Sequence, residues 1–205
     1  MSGRRLFGLL LWLCGAWAQA ASLQVTVRDE QGRPLHDAVV FLESPDAARA
    51  AKPLPAVEMA QKDKNFVPEQ LTVTRGTSVQ FPNRDTVRHH VYSFSPAKRF
   101  ELKLYTGTPA NPVAFEQTGV VVLGCNIHDE MIGWILVVDT PYFGSTAING
   151  QARLNDVPEG SYRLRVWHNR LPVGAAAFEQ PLRLDAGGAS ASASASAMLP
   201  TRYAC

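Results

Sequence analysis

Val120-Val121-Val122-Leu123-Gly124-Cys125-Asn126-Ile127-His128-Asp129-Glu130-Met131-Ile132-Gly133-Trp134-Ile135-Leu136-Val137-Val138 is the stretch on which the reading of this chain turns. Its two ends are short apolar runs rich in β-branched residues, the composition of buried strands. Between them, a loop carries a thiol, an imidazole and a thioether within seven residues. The first strand delivers Cys125 at its end, His128 returns over the same point, and Met131 reaches it again before the second strand departs. Three donors on one hairpin can converge on an ion without long side chains. A soft sulfur, imidazole nitrogen and a weak axial thioether suit a mononuclear copper–thiolate centre, which needs a second imidazole from elsewhere. His89-His90 offer it, and spacing alone leaves open which of the two does.

Outward from that hairpin the chain continues to read as strands. Leu23-Gln24-Val25-Thr26-Val27 alternates apolar and polar residues and runs into the turn Asp29-Glu30-Gln31-Gly32. Ala38 to Leu42 is a continuous apolar run, Gln70 to Val73 leads to Arg75-Gly76, and Thr77 to Phe81 alternates as far as Pro82-Asn83. His90 to Phe94, Phe100 to Leu104 and Tyr162 to Val166 follow. No window holds a sustained 3.6-residue apolar repeat, so helices are not expected. Short strands set off by Gly, Pro and Asn turns predict an all-β sandwich. Residues 46–64 are rich in Ala, Pro and Lys and read as a connector, within which Met59 to Phe66 fits either a short strand or a turn of helix. Residues 186–205 open on Gly187-Gly188 and continue as Ala-Ser repeats. A composition with so little to bury predicts a flexible tail.

Residues 1–21 have the parts of a secretory leader. Arg4-Arg5 is basic, Leu6 to Trp17 is apolar but too short for a stable span, and Ala18-Gln19-Ala20 is a small-residue cleavage site. The mature chain is expected to start near Ala21 or Ser22, without a membrane span, in the periplasm of a Gram-negative cell. Cys14 leaves with the leader and Cys205 ends the tail, so Cys125 is the one cysteine of the folded body. Thiols pair or oxidise in that compartment, and a lone core thiol calls for a reason. Metal ligation is one; an inert buried cysteine or a Cys125–Cys205 disulfide are the others. A formal net charge of +2, with no run of Lys and Arg beyond the first five residues, argues against nucleic acid or a polybasic membrane patch.

Two separated motifs resemble the cupredoxins, the type 1 blue copper family. Cys125-x-x-His128-x-x-Met131 has the spacing of the amicyanin-like, methylamine-utilisation-type members; plastocyanin-like members carry two more residues before the methionine. Asn83-Arg84-Asp85-Thr86-Val87-Arg88-His89-His90-Val91 is similar to their upstream segment N-R-E-x-x-P-H-N-V. The resemblance covers residues 65–140. It implies a Greek-key β-sandwich holding one type 1 copper ion through His89, Cys125, His128 and Met131. It also implies that Asn83 ties the two ligand segments together, and it puts His90 beside the site at the family's asparagine position. Arg88 departs from the family's proline and His90 from its asparagine, which keeps position 90 open as an alternative ligand.

The flanks resemble a carboxypeptidase regulatory-like domain. Gly32, Pro34, Leu35, Ala38 and Val40 match its first half; Gly150, Leu154, Pro158, Gly160, Tyr162 and Leu164 match its second. Residues 22–45 and 141–185 are therefore expected to form a second small β-sandwich split by insertion of the copper unit. The alternative is that these strands extend a single sheet.

A centre filled by protein ligands leaves no place for substrate, so electron transfer is expected and an enzyme is not. The resemblance implies that His128 reaches the surface in an apolar patch with Ile127, Met131, Ile132 and Pro96. It further implies a transient partner, a c-type cytochrome or a periplasmic dehydrogenase. Two other readings fit the same residues: a copper-handling or sensing module that passes no electrons, and a copper enzyme with an open site if Met131 does not reach the ion. His168 reads as structural or exposed, and His36 carries no signal.

Overall fold

The computed structural model describes residues 20–194 other than 173 and 186. Its first elements are β1 (Ala20–Arg28), β2 (Val39–Glu43), α1 (Pro45–Ala50), β3 (Val57–Glu58), β4 (Ala60–Lys62), β5 (Asn65–Val67), β6 (Gln70–Thr74) and β7 (Thr77–Gln80). The central part follows as β8 (His89–Ser95), β9 (Lys98–Tyr105), β10 (Val113–Phe115), β11 (Gly119–Gly124) and β12 (Ile132–Val138). The chain closes with β13 (Phe143–Ser145), β14 (Gln151–Pro158), β15 (Gly160–Trp167), β16 (Phe178–Leu184) and β17 (Ala189–Ser194). Among the described residues the fold is all-β apart from one short helix.

The strands gather around two apolar cores. The inner core lies between the sheet β6-β12-β11-β8-β9 and the sheet β10-β7-β3. It buries Met59, Phe66, Phe81, Phe115, Leu123 and Ile135 almost completely. The outer core is shared by the sheets β14-β1-β17 and β13-β2-β15-β16, which use the two ends of the chain. Alternation in β1 sends Ala21, Leu23, Val25 and Val27 into it. Each such side chain, fully buried, contributes about 1.5–3 kcal/mol.

Strand β12 belongs to both cores. Ile135 and Val137 enter the inner one; Leu136 and Val138 enter the outer one, with Val120 and Trp134 packed against it. That is why Trp134 to Val138 is apolar without alternation: the strand is covered on both faces. β2 is likewise a continuous buried run, Val39 to Leu42.

Two expectations are corrected. Residues 46–64 are not a bare connector. Pro45 stands in the first turn of α1 and the Ser44 side chain accepts from the Ala47 N–H, a standard N-terminal cap. Six residues are too few to show a helical repeat. β3 and β4 also fall in this segment, with Met59 buried. Nor is residue 186 onward wholly a flexible tail: Ala189 to Ser194 runs parallel to Leu23 to Arg28. Ala189, Ala191 and Ala193 pack on the outer core. Residues 1–19, within the expected leader, and residues 195–205 lie outside the described residues, and Ala20 and Ala21 begin β1. Among the described residues, no helix is long and apolar enough to cross a membrane.

Candidate metal centre

Cys125 is the first residue beyond β11, and the loop it opens is closed by a Met131 N–H bond to the His128 carbonyl, 2.9 Å. The residue before it must be small. A Cβ on Gly124 would lie 2.9 Å from the Tyr92 ring, which packs directly over that peptide. Gly133, past the loop, is under the same constraint from Phe66 and Met59. These close approaches fix both ends of the loop against neighbouring elements.

His89 is positioned by a second loop. Asn83 donates from Nδ2 to the carbonyls of Val87 (2.8 Å) and Tyr105 (2.9 Å), and its Oδ1 accepts from the Asp85 N–H (2.9 Å). It thus shapes the turn that carries His89. These bonds run to its own loop and to β9, not to residues 125–131, so Asn83 does not tie the two ligand segments together by hydrogen bonding.

The structure separates the two adjacent histidines. The β8–β9 register shifts between His89 and Val91, so consecutive side chains are both buried but in different surroundings. His89 turns its Nδ1 toward the Cys125 Sγ, at 3.9 Å. His90 instead places Nε2 2.9 Å from Glu101 Oε1, and its ring lies 5.6 Å from that of Tyr92.

His128 Nδ1 is 3.8 Å from the same sulfur. The donor atoms of His89, Cys125 and His128 all lie within 4.8 Å of one another. Cys125 is 3% exposed and has no disulfide partner among the described residues; Met131, 1% exposed, belongs to the same buried cluster. Asp129 and Glu130, on the loop, are exposed.

The spacing tests whether an ion fits. With bonds of about 2.3 Å to sulfur and about 2.05 Å to nitrogen, as at zinc, sulfur and nitrogen stand about 3.6 Å apart at a tetrahedral angle and about 3.8 Å apart at a trigonal one. The observed 3.9 and 3.8 Å match the trigonal case. Two imidazoles and one thiolate are donors that suit copper rather than a structural zinc.

One residue of the site escaped the sequence reading. Asp85 Oδ2 lies 2.7 Å from His89 Nε2 and accepts the Lys64 N–H (2.9 Å), while Oδ1 accepts the Asp63 N–H (2.7 Å). Asp63 and Lys64 form the β4–β5 turn with φ of 53° and 58°, a conformation that leaves their N–H groups pointing out of the hairpin. A carboxylate only accepts, so His89 carries its proton on Nε2 and keeps the Nδ1 lone pair for the site. Burial raises the Asp85 pKa, but the bonds from Lys64, His89 and Asp63 outweigh it and hold the carboxyl below its usual range. Beneath His89, burial pushes the Tyr105 phenol up to about 12, with its hydroxyl donated to the Phe81 carbonyl and accepting from Gln61.

No protein-family model and no curated protein matches the chain. Solved structures do. It is similar to a purple cupredoxin from Nitrosopumilus maritimus, with 21% identity over 40% of this chain and 99% of that one, at a TM-score of 0.36. It is similar to an oxidised variant of amicyanin, with 22% identity over 50% and 99%, at 0.38. It is also similar to a Cu-containing nitrite reductase from Thermus scotoductus SA-01, with 22% identity over 55% of this chain and 28% of that one, at 0.38.

Proposed function

We propose that this chain is an exported mononuclear copper protein that carries single electrons between periplasmic partners. The observation that carries the reading is the convergence of His89 Nδ1 and His128 Nδ1 on Cys125 Sγ, at 3.9 and 3.8 Å. In it, His89, Cys125 and His128 hold the ion and Met131 supplies a weak fourth donor. A bound copper ion supplies one-electron chemistry.

The chain's own residues do the rest. Asp85 sets the tautomer of His89 through its 2.7 Å contact at Nε2. Met131 and the inner core around Cys125 exclude water. His128 is half-buried, and on the same loop Ile127 and Ile132 are 47% and 44% exposed; in this reading the histidine and these side chains form the encounter surface. Such a surface suits brief encounters with a c-type cytochrome or a periplasmic dehydrogenase rather than a permanent complex. In this reading the outer sandwich is a scaffold, built from the two chain ends around the inserted copper unit.

The test is to add Cu(II) to the purified protein and record the visible spectrum, with Cys125→Ser alongside. An intense sulfur-to-copper band, at about 600 nm, that is lost in Cys125→Ser supports the reading. A colourless protein that still binds copper reversibly would make it a handling module. A coloured protein whose spectrum ignores Met131→Ala and shifts with added azide would make it an open-site enzyme.

A further inference from the structure

Strand β8 sends Val91 into the inner core and turns His90, Tyr92 and Phe94 to the opposite face of the sheet. On that face Tyr92 pairs with Gly124, and its ring is the one that a Cβ on Gly124 would strike at 2.9 Å. The centre of the Tyr92 ring lies 5.3 Å from that of Phe94, with the planes tilted by 46°. That is a favourable separation for two aromatic rings. Phe94 itself is 74% exposed. The outer sandwich packs on Val120 and Trp134 of the same sheet and leaves this corner bare. Two touching rings therefore run from the residue that precedes Cys125 out to solvent.

The charge beside Phe94 is mainly basic. Arg99 is its cross-strand partner and so shares its face, Lys98 stands opposite Ser95, and Lys103 follows on β9. Glu101 is the one acidic residue of β9, and its carboxylate is engaged by His90 Nε2 at 2.9 Å. An exposed aromatic ring next to an arginine is the makeup of an interface centre. A basic rim steers an acidic surface toward it.

We propose that the β8–β9 corner is a second docking surface, separate from the His128 edge, for a redox protein with a carboxylate-rich face. Phe94 meets the partner, Lys98, Arg99 and Lys103 steer it, and Tyr92 links Phe94 to the Cys125 segment. The electron link rests on the copper reading; the surface itself requires no metal. One electron leaves the reduced centre and the partner gains it, with no bond made or broken and no proton moved. With donor and acceptor on separate faces, neither has to leave before the other arrives.

Two measurements test it. The first uses the metal-free protein and an inert paramagnetic trianion, hexacyanochromate(III), in place of the acidic face. It should broaden the amide NMR signals of residues 93–99 more than those of residues 126–132. Arg99→Gln should cut that broadening about threefold or more. Arg183→Gln, on a side chain 75% exposed in the outer sandwich, should leave it unchanged. The second uses the reduced copper-loaded protein and follows the return of the sulfur-to-copper band. Phe94→Ser and Tyr92→Leu should each slow oxidation by the anion hexacyanoferrate(III) about tenfold. Oxidation by the cation tris(phenanthroline)cobalt(III), which the basic corner repels, should stay within about twofold. Broadening spread evenly over the surface, or an equal effect of the Arg99 and Arg183 changes, overturns the docking surface. A coloured protein whose hexacyanoferrate rate ignores both aromatic changes overturns the electron link, and so does equal slowing with both reagents. A protein without the band removes the copper reading instead, and the broadening then decides the surface by itself.

Discussion

Replacing Asp85 with asparagine changes one atom type and tests how the upstream ligand is set. In the native site the carboxylate receives three donors: His89 Nε2, the Asp63 N–H and the Lys64 N–H. An asparagine oxygen can serve one side of that arrangement. Its NH2 group then faces either the backbone N–H groups of the β4–β5 turn or the His89 ring. If it faces the ring, Nε2 becomes the acceptor and the proton moves to Nδ1, the atom aimed at Cys125. Removing such an orienting partner lowers metal affinity about 10–100-fold, which is about 1.4–2.7 kcal/mol. Losing one or two hydrogen bonds to the partly exposed carboxylate adds about 1–3 kcal/mol of lost folding stability. Copper affinity is read by competition with a chromophoric chelator at pH 7, and stability by urea unfolding of the metal-free chain. Affinity within twofold of the native value, alongside lower stability, would refute the reasoning: Asp85 would then brace the hairpin and leave the ligand alone.

Three further perturbations probe the frame. Burial, with Arg170 beside it, lowers the His168 pKa to about 4, and its Nδ1 accepts the Arg170 N–H at 3.0 Å, a bond that protonation destroys. The neutral ring's contribution is therefore complete above pH 6.5 and is lost as pH falls toward about 4, up to about 3 kcal/mol; His168→Gln should flatten that limb of a urea-midpoint profile, and equal slopes would count against it. Gly133→Ala puts a Cβ 2.9 Å from Phe66 Cδ2 and 3.0 Å from Met59 Cε, and should cost about 1–3 kcal/mol in chemical denaturation, partly restored by Phe66→Leu. Ending the chain at Gly188 uncovers the β1 edge and should cost about 2 kcal/mol, a fall of about 4–8 °C in thermal midpoint; an unchanged midpoint would mean that β17 contributes nothing.

What the sequence revealed followed the range of each interaction. The β11–β12 hairpin was legible because Cys125, His128 and Met131 are local and its flanks are plain β-branched runs. Strands such as Leu23 to Val27 were legible because one face is buried and the other is not. The different surroundings of His89 and His90 could not be read from composition, since a register shift on β8 separates them and bulges leave no compositional mark. Asp85 went unread because its partner donors, Asp63 and Lys64, come from a hairpin more than twenty residues upstream. β17 was obscured by composition, although its Ala-Ser alternation has strand period: alanine buries too little to register as a core strand.

The outer sandwich also dictates an order of assembly. Thr146 hydroxyl donates to the Leu35 carbonyl across 111 residues, and β1 finds both of its neighbours only in β14 and β17. The hairpins β8–β9 and β11–β12 close within short loops, at far smaller entropic cost. A chain emerging N-terminus first must therefore keep β1 and β2 waiting while the ligand loop takes shape. Until the last strands arrive, the far side of β11 and β12, with Val120, Trp134, Leu136 and Val138, stays open to solvent.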